Sequence, residues 1–221
     1  MDHVLGPEGK FIAFEGIDGA GLTTHSERLQ RWLNRVGGKQ AYLTKEPTNG
    51  PIGAQIRLKL AGRLDMDEAT MALLFAADRM DHLHVDIIPK LAAGVHVICD
   101  RYYLSSLAYQ SLTLDLDWIM AINAKARHPD LTIYLDVPAS ISIERIARER
   151  HVVEFFESES VLDQVRHNYH RIIDLLRARG ENIITIQGFN ASGSRPIRDI
   201  EREIQVAVQR LLDKSQENAG P

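Results

Sequence analysis

Cysteine is almost absent. Cys99 stands alone in 221 residues, so no internal disulfide can brace the fold. Its place in the apolar run Val95-His96-Val97-Ile98-Cys99 reads as a buried small hydrophobe and not a redox centre. Long hydrophobic stretches are missing too: no run approaches the roughly 18 apolar residues of a membrane span. The start, Met1-Asp2-His3-Val4, has neither the basic segment nor the apolar core of an export signal, so the expected location is cytoplasmic. Nor does charge of one sign dominate, since 26 Lys and Arg against 30 Asp and Glu give a formal net charge of -4. Polyanions and anionic membranes select basic faces, so no nucleic acid polymer and no membrane is expected as a partner. A small anion held by a local nest of amides and arginines stays open. Repeats and low-complexity linkers are absent.

What remains is ordinary globular material, 44% hydrophobic and 25% charged, long enough to bury a core as one domain over 1–221, with a flexible tail at 214–221. Short apolar runs alternate with helical patterns. Phe11-Ile12-Ala13-Phe14-Glu15, Gln40-Ala41-Tyr42-Leu43-Thr44, Val95 to Cys99, Leu131 to Val137 and Ile183-Ile184-Thr185-Ile186 read as strands. Leu29, Trp32, Leu33 and Val36 mark a helix that Gly37-Gly38 stops, and further helices are expected at Ile141 to Arg150, Leu162 to Arg179 and Ile197 to Leu212. From Asp67 strong helix formers run on to Pro89 or Gly94, broken near the proline, and Glu46-Pro47-Thr48-Asn49-Gly50-Pro51 reads as a loop. Repeated βα order implies an α/β fold with a five-stranded parallel sheet covered by helices on both faces. Ligands of such sheets collect beyond the carboxyl ends of the strands.

The first strand runs into Gly16-Ile17-Asp18-Gly19-Ala20-Gly21-Leu22-Thr23-Thr24. This fits Gly-x4-Gly-Lys-Ser/Thr at every fixed position except the lysine, which is Leu22. A glycine-rich turn between strand and helix aims backbone N–H groups and the positive helix end at phosphate oxygens. Thr23 stands where the motif places a magnesium ligand. Leucine brings no charge to the β- and γ-phosphates, so ATP binding should survive better than phosphoryl transfer.

Together with that loop, Thr44-Lys45-Glu46-Pro47, Leu73-Leu74-Phe75-Ala76-Ala77-Asp78-Arg79, Cys99-Asp100-Arg101-Tyr102, Ser105-Ser106-Leu107-Ala108-Tyr109-Gln110 and Pro129 to Asp136 resemble the thymidylate kinase family over roughly residues 10–212. The resemblance implies a P-loop NTPase-type three-layer fold. It also implies phosphorylation of dTMP to dTDP with ATP and Mg²⁺ for dTTP supply, and a homodimer. By the same resemblance Gly16, Asp18, Gly19, Ala20, Gly21, Leu22, Thr23, Thr24 and Arg145 meet ATP, while Thr23, Asp18 and Glu157 serve the metal. Phe75 stacks on the base, Arg79 contacts its edge, and Ser106 and Gln110 lie near it. Tyr109 crowds the sugar 2′ position, Asp18 lies near the 3′-hydroxyl, and Arg101 grips the acceptor phosphate. A lid over about 145–157 supplies a catalytic arginine, with Arg148 and Arg150 as candidates beside Asp18 and Arg101. Phe155 replaces an arginine common at that place.

Pattern alone leaves alternatives. Phe75 also suits a core position, Tyr109 plain packing, and Arg101 an ion pair with Asp100. The long apolar helix from Leu73 to Ile88 suits either a dimer face or the core. Two functional alternatives stand beside the kinase: a nucleotide-binding pseudokinase that lost turnover with Leu22, and a kinase for another pyrimidine nucleoside monophosphate.

Overall fold

The computed structural model describes residues 9–36, 40–149, 158–191 and 193–217. Five short strands, β1 (Phe11–Glu15), β2 (Ala41–Lys45), β3 (His96–Asp100), β4 (Leu131–Asp136) and β5 (Ile183–Gln187), form one parallel sheet in the order β2-β3-β1-β4-β5. β1 and β4 are buried at every position. Strands covered on both faces carry continuous apolar runs, which is why the sequence shows no alternation there.

Helices cover both faces: α1 (Leu22–Val36), α2 (Pro51–Leu60), α3 (Glu68–His82), α4 (Ile88–Ala92), α5 (Tyr103–Gln110), α6 (Leu116–Ile122), α7 (Ala139–Glu149), α8 (Glu159–Ala178) and α9 (Ile197–Glu217). A two-stranded hairpin, β6 (Phe189–Asn190) and β7 (Gly193–Ser194), follows β5. Side chains cap α3, α6 and α8, where Asp67, Asp115 and Ser158 accept from the N–H groups of Thr70, Trp118 and Val161. The first turn of α1 carries no acidic residue. The positive end of this helix is therefore not offset by a carboxylate of its own first turn.

Several expectations change. Pro51 to Leu60 is a helix, with Pro51 at its start, where the missing N–H costs nothing. α3 and α4 are not broken at Pro89 but joined by a π-helical turn, Leu83–Ile87, in which the Ile88 N–H reaches back to Leu83. Pro89 then falls in the first turn of α4, where proline is tolerated. The expected tail from 214 is helical to Glu217. Leu73, Met80, Val85 and Ile88 are solvent-facing, so this helical stretch is not wholly core. No helix among the described residues is long and apolar enough to cross a membrane.

Candidate active site

The register of the parallel sheet aligns the carboxyl ends of its strands. Phe14 and Lys45 each pair with Asp100, and Glu15 pairs with Tyr134. The loop 16–21 leaves β1 at this edge. Gly19 and Gly21 have φ of 75° and 94°, left-handed values that a side chain resists. A Cβ on Gly19 would also stand 2.7 Å from the Ser142 carbonyl oxygen. Glycine is therefore needed there for space as well as for torsion.

Leu22 does not hang in the phosphate cradle. It is only 6% exposed, belongs to the main apolar core, and rests its Cδ2 near Gly16. The next residue, Thr23, donates its hydroxyl to Asp100 Oδ2 at 2.6 Å. Thr23 and Asp100 thus offer a hydroxyl and a carboxylate together, and Asp18 a further carboxylate in the same cleft, oxygen donors of the kind hard cations such as Mg²⁺ take.

Arg101 follows β3 with φ of 68°, the one non-glycine residue with positive φ among those described. Its guanidinium donates to the Gly16 carbonyl at 2.8 Å, to Asp18 Oδ1 at 2.8 Å and to Ser105 Oγ at 3.1 Å. It pairs with Asp18, not with its neighbour Asp100. The Tyr109 hydroxyl accepts from the Asp18 N–H and donates to Asp18 Oδ2, each at 3.0 Å. Burial, opposed by Arg101, pushes that phenol well above its usual range, so it stays a neutral donor. Arg101, Asp18 and Tyr109 form one hydrogen-bonded group at the foot of the loop. Tyr109 is more than packing.

Further along the same cleft stands Phe75, half-buried on α3 with its ring on the wall. Arg79, one turn on, is 1% exposed. Its guanidinium pairs with Glu46 at 2.8 Å, donates to Ser106 Oγ at 3.1 Å and to Asn123 Oδ1, and lies over the Tyr102 ring. A buried guanidinium must be paired and hydrogen-bonded to be tolerated, and removing one partner of such a pair costs about 3–5 kcal/mol. Ser106 therefore serves Arg79 first. Gln110 is buried with its Oε1 unpartnered, an acceptor awaiting a donor on this wall.

All the described residues expected at the site, Gly16 excepted, line one cleft of about 1330 Å³. The loop residues Asp18, Gly19, Ala20, Gly21, Leu22, Thr23 and Thr24 with Arg145 share this cleft with Phe75, Arg79, Arg101, Ser106, Tyr109 and Gln110, and Asp18 links the two sets through Arg101 and Tyr109. Arg145 donates to the carbonyls of Gly19 and Ala20 at 3.2 Å and to Ser194 Oγ at 3.1 Å, tying α7 and the hairpin to the loop. Arg150, Phe155 and Glu157, and the Arg148 side chain, lie outside the described residues.

The sequence reading gave no role to four residues that shape this site, two of which, Glu46 and Asp100, it quoted as parts of motifs. Asp100 holds Thr23, Asn123 and Glu46 hold Arg79, and Glu15 lies fully buried behind Arg101. Burial pushes the Glu15 carboxyl up to about 7. His25, on the first turn of α1, is buried beside Gly21 with Nδ1 unpartnered, and burial lowers it to about 4.

A parallel sheet, a glycine-rich loop at the carboxyl end of its first strand and an arginine-bearing wall in the same cleft define a nucleotide-binding α/β protein of the P-loop type. The thymidylate kinase family model matches residues 14–204. A protein of Aeropyrum pernix provisionally named a thymidylate kinase is 41% identical over 205 residues, covering 92% of this chain and 97% of its own. Probable thymidylate kinases of Methanococcus aeolicus and Thermococcus gammatolerans are 40% and 39% identical, covering 93% and 92% of this chain and 97% and 98% of their own. The chain belongs to the thymidylate kinase family.

Proposed function

We propose that the protein transfers the γ-phosphoryl group of ATP to dTMP, giving ADP and dTDP, in the cytoplasm. The observation that carries this is that the loop residues, Arg101, Phe75 and Gln110 all line one cleft. In-line transfer needs two phosphates brought together with charge placed around them and no covalent intermediate on the protein. The amides of Gly19, Gly21, Leu22 and Thr23 would receive the ATP phosphates, and Arg101 the acceptor phosphate. Thr23, Asp18 and Asp100 would hold Mg²⁺, which when bound neutralises charge on the phosphates.

Base choice follows from the wall opposite. Thymine presents an N3–H donor and an O4 acceptor, matching the unpartnered Gln110 Oε1 and the Arg79 guanidinium; cytosine presents the reverse. Turnover of a panel of nucleoside monophosphates with ATP and Mg²⁺ tests the proposal. dTMP should lead, and equal rates with dCMP would remove the base assignment.

A second reading stands on Leu22. Because its side chain is committed to the core, the loop carries no cation of its own, and a nucleotide-binding protein without turnover fits that feature. ATP and dTMP binding with no dTDP formed would establish it.

We also propose a homodimer through the face carrying Leu73, Met80 and Ile88, exposed at 50%, 44% and 49% on one side of the long helix. Sedimentation should give twice the chain mass, and Met80→Glu should halve it. A monomeric parent protein would refute this.

A further inference from the structure

The group behind Arg101 is a buried carboxylate where the core would accept an apolar residue. Glu15 ends β1 after four apolar residues and is 0% exposed, so it cannot touch a ligand. Its oxygens nevertheless reach both parts of Arg101. Oε1 accepts from the Tyr102 N–H at 2.9 Å. That N–H belongs to the peptide whose carbonyl is Arg101's own, and that carbonyl accepts from the Cys99 thiol at 2.9 Å. With the Arg101 N–H bonded to the Phe14 carbonyl at 2.9 Å, the peptides on both sides of the strained residue are anchored. A left-handed non-glycine residue costs about 1–3 kcal/mol and persists only where its surroundings over-determine it.

Oε2 governs the guanidinium. It accepts from Ser105 Oγ at 2.6 Å and from the Tyr169 hydroxyl at 3.1 Å. A serine hydroxyl has one hydrogen, so donating it to Glu15 turns its lone pairs toward Arg101 Nη1, 3.1 Å away. When ionised, Glu15 therefore dictates that Ser105 is an acceptor where Arg101 needs one.

We infer that Glu15 is a positioning residue that sets the backbone and fork of Arg101 for the acceptor phosphate, an inference that rests on Arg101 being the phosphate clamp. The Glu15→Gln variant keeps size and shape but puts an N–H₂ group in place of one oxygen. That group cannot accept. Either the Tyr102 N–H loses its partner, or Ser105 must turn its lone pairs to the amide and away from Arg101.

Calorimetric titration of the full chain with dTMP and with thymidine separates this role from a general packing role, because only dTMP carries the phosphate. In Glu15→Gln, dTMP affinity should fall on the order of tenfold while thymidine affinity holds within about twofold, the scale of one charge-assisted hydrogen bond. Added to Arg101→Ala, the same change should cost nothing further. Ser105→Ala removes the bridge and leaves the carboxyl, and should show the same selective loss. If dTMP and thymidine affinities fall together, or neither falls, while Arg101→Ala still weakens dTMP alone, the positioning role is overturned. If Arg101→Ala itself leaves dTMP affinity unchanged, the clamp assignment falls and this inference with it.

Discussion

Replacing Leu22 with lysine tests the site where this chain departs from its family's motif. Leu22 is a core residue, so the change has two opposed effects. Removing a buried leucine costs about 1.5–3 kcal/mol of apolar burial, part of which the lysine methylenes recover by lying along the same surface. The unliganded Leu22→Lys protein should therefore be less stable by about 1–2 kcal/mol. With ATP in the loop the ammonium gains a partner at the β- and γ-phosphates. One preorganised electrostatic contact is worth roughly 10²–10³ in rate, or about 3–4 kcal/mol of barrier. The expected result is a lower melting temperature without nucleotide, recovered with ATP and Mg²⁺, and dTDP formation faster by about 10² or more. Leu22→Met conserves volume without charge and should leave the rate within about twofold. Stopped-time assays of ADP and dTDP at saturating substrates measure both variants. A parent that already turns over on the order of 10 s⁻¹ and gains less than about threefold from lysine would refute the reasoning, because another cation would then supply the charge. Absence of turnover in parent and variant, with both nucleotides bound, would leave the pseudokinase reading.

Two buried groups should give opposing pH dependences. Glu15, raised from 4.5 to about 7, stabilises the fold when protonated. That contribution is complete below pH 4.5 and is lost as pH rises through 7. His25, lowered from 6.5 to about 4, stabilises when neutral, completely above pH 6.5 and progressively less as pH falls through 4. Each is worth about 3 kcal/mol, so they offset one another in the parent. Glu15→Gln should become acid-labile between pH 6.5 and 4 in chemical denaturation, and a profile parallel to the parent's would reject this. Tyr109→Phe keeps the ring but takes the hydroxyl from Asp18 Oδ2 and leaves Asp18 on Arg101 alone, so the preference for dTMP over its ribose analogue should persist while turnover falls about tenfold. Tyr109→Ala should narrow the preference as well. Asp100→Asn removes a carboxylate from Thr23 and should raise the Mg²⁺ concentration for half-maximal turnover about tenfold, with an unshifted Mg²⁺ curve as the contrary outcome.

The sheet was legible in the sequence because doubly covered parallel strands are continuous apolar runs, and each of the five was found within a residue or two. The helix α2 was not, because Pro51 read as the last residue of a turn-rich loop and the stretch after it was left unassigned. Gly53 is needed because a Cβ would strike the Thr48 carbonyl. Of the site, the loop announces itself through spacing, and Arg101 through the family resemblance of the segment that carries it. Glu15 does not, since one acid at the end of an apolar strand has no pattern of its own. Asn123 is similarly silent: it meets Arg79 only because α6 folds over α3. Asp100 stood inside a recognised motif, yet its link to Thr23 depends on β3 lying next to β1.

The π-helical turn between α3 and α4 sets the rotational phase of the long helix. Ala72 and Leu91 are both fully buried and lie nineteen residues apart. At about 100° per residue, an uninterrupted α-helix would bring Leu91 round some 100° off the line of Ala72. The one extra residue that the turn at Leu83–Ile87 accommodates takes out about that much rotation. Ile87 and Leu91 thereby stay under the sheet while Val85 and Ile88 keep to the solvent side. Deleting a single residue in this turn would leave an uninterrupted α-helix with Leu91 still on the line of Ala72, since eighteen residues at about 100° make five full turns, whereas closing the turn to α-helix with no deletion would swing the whole second half by about a quarter turn and exchange buried side chains for exposed ones.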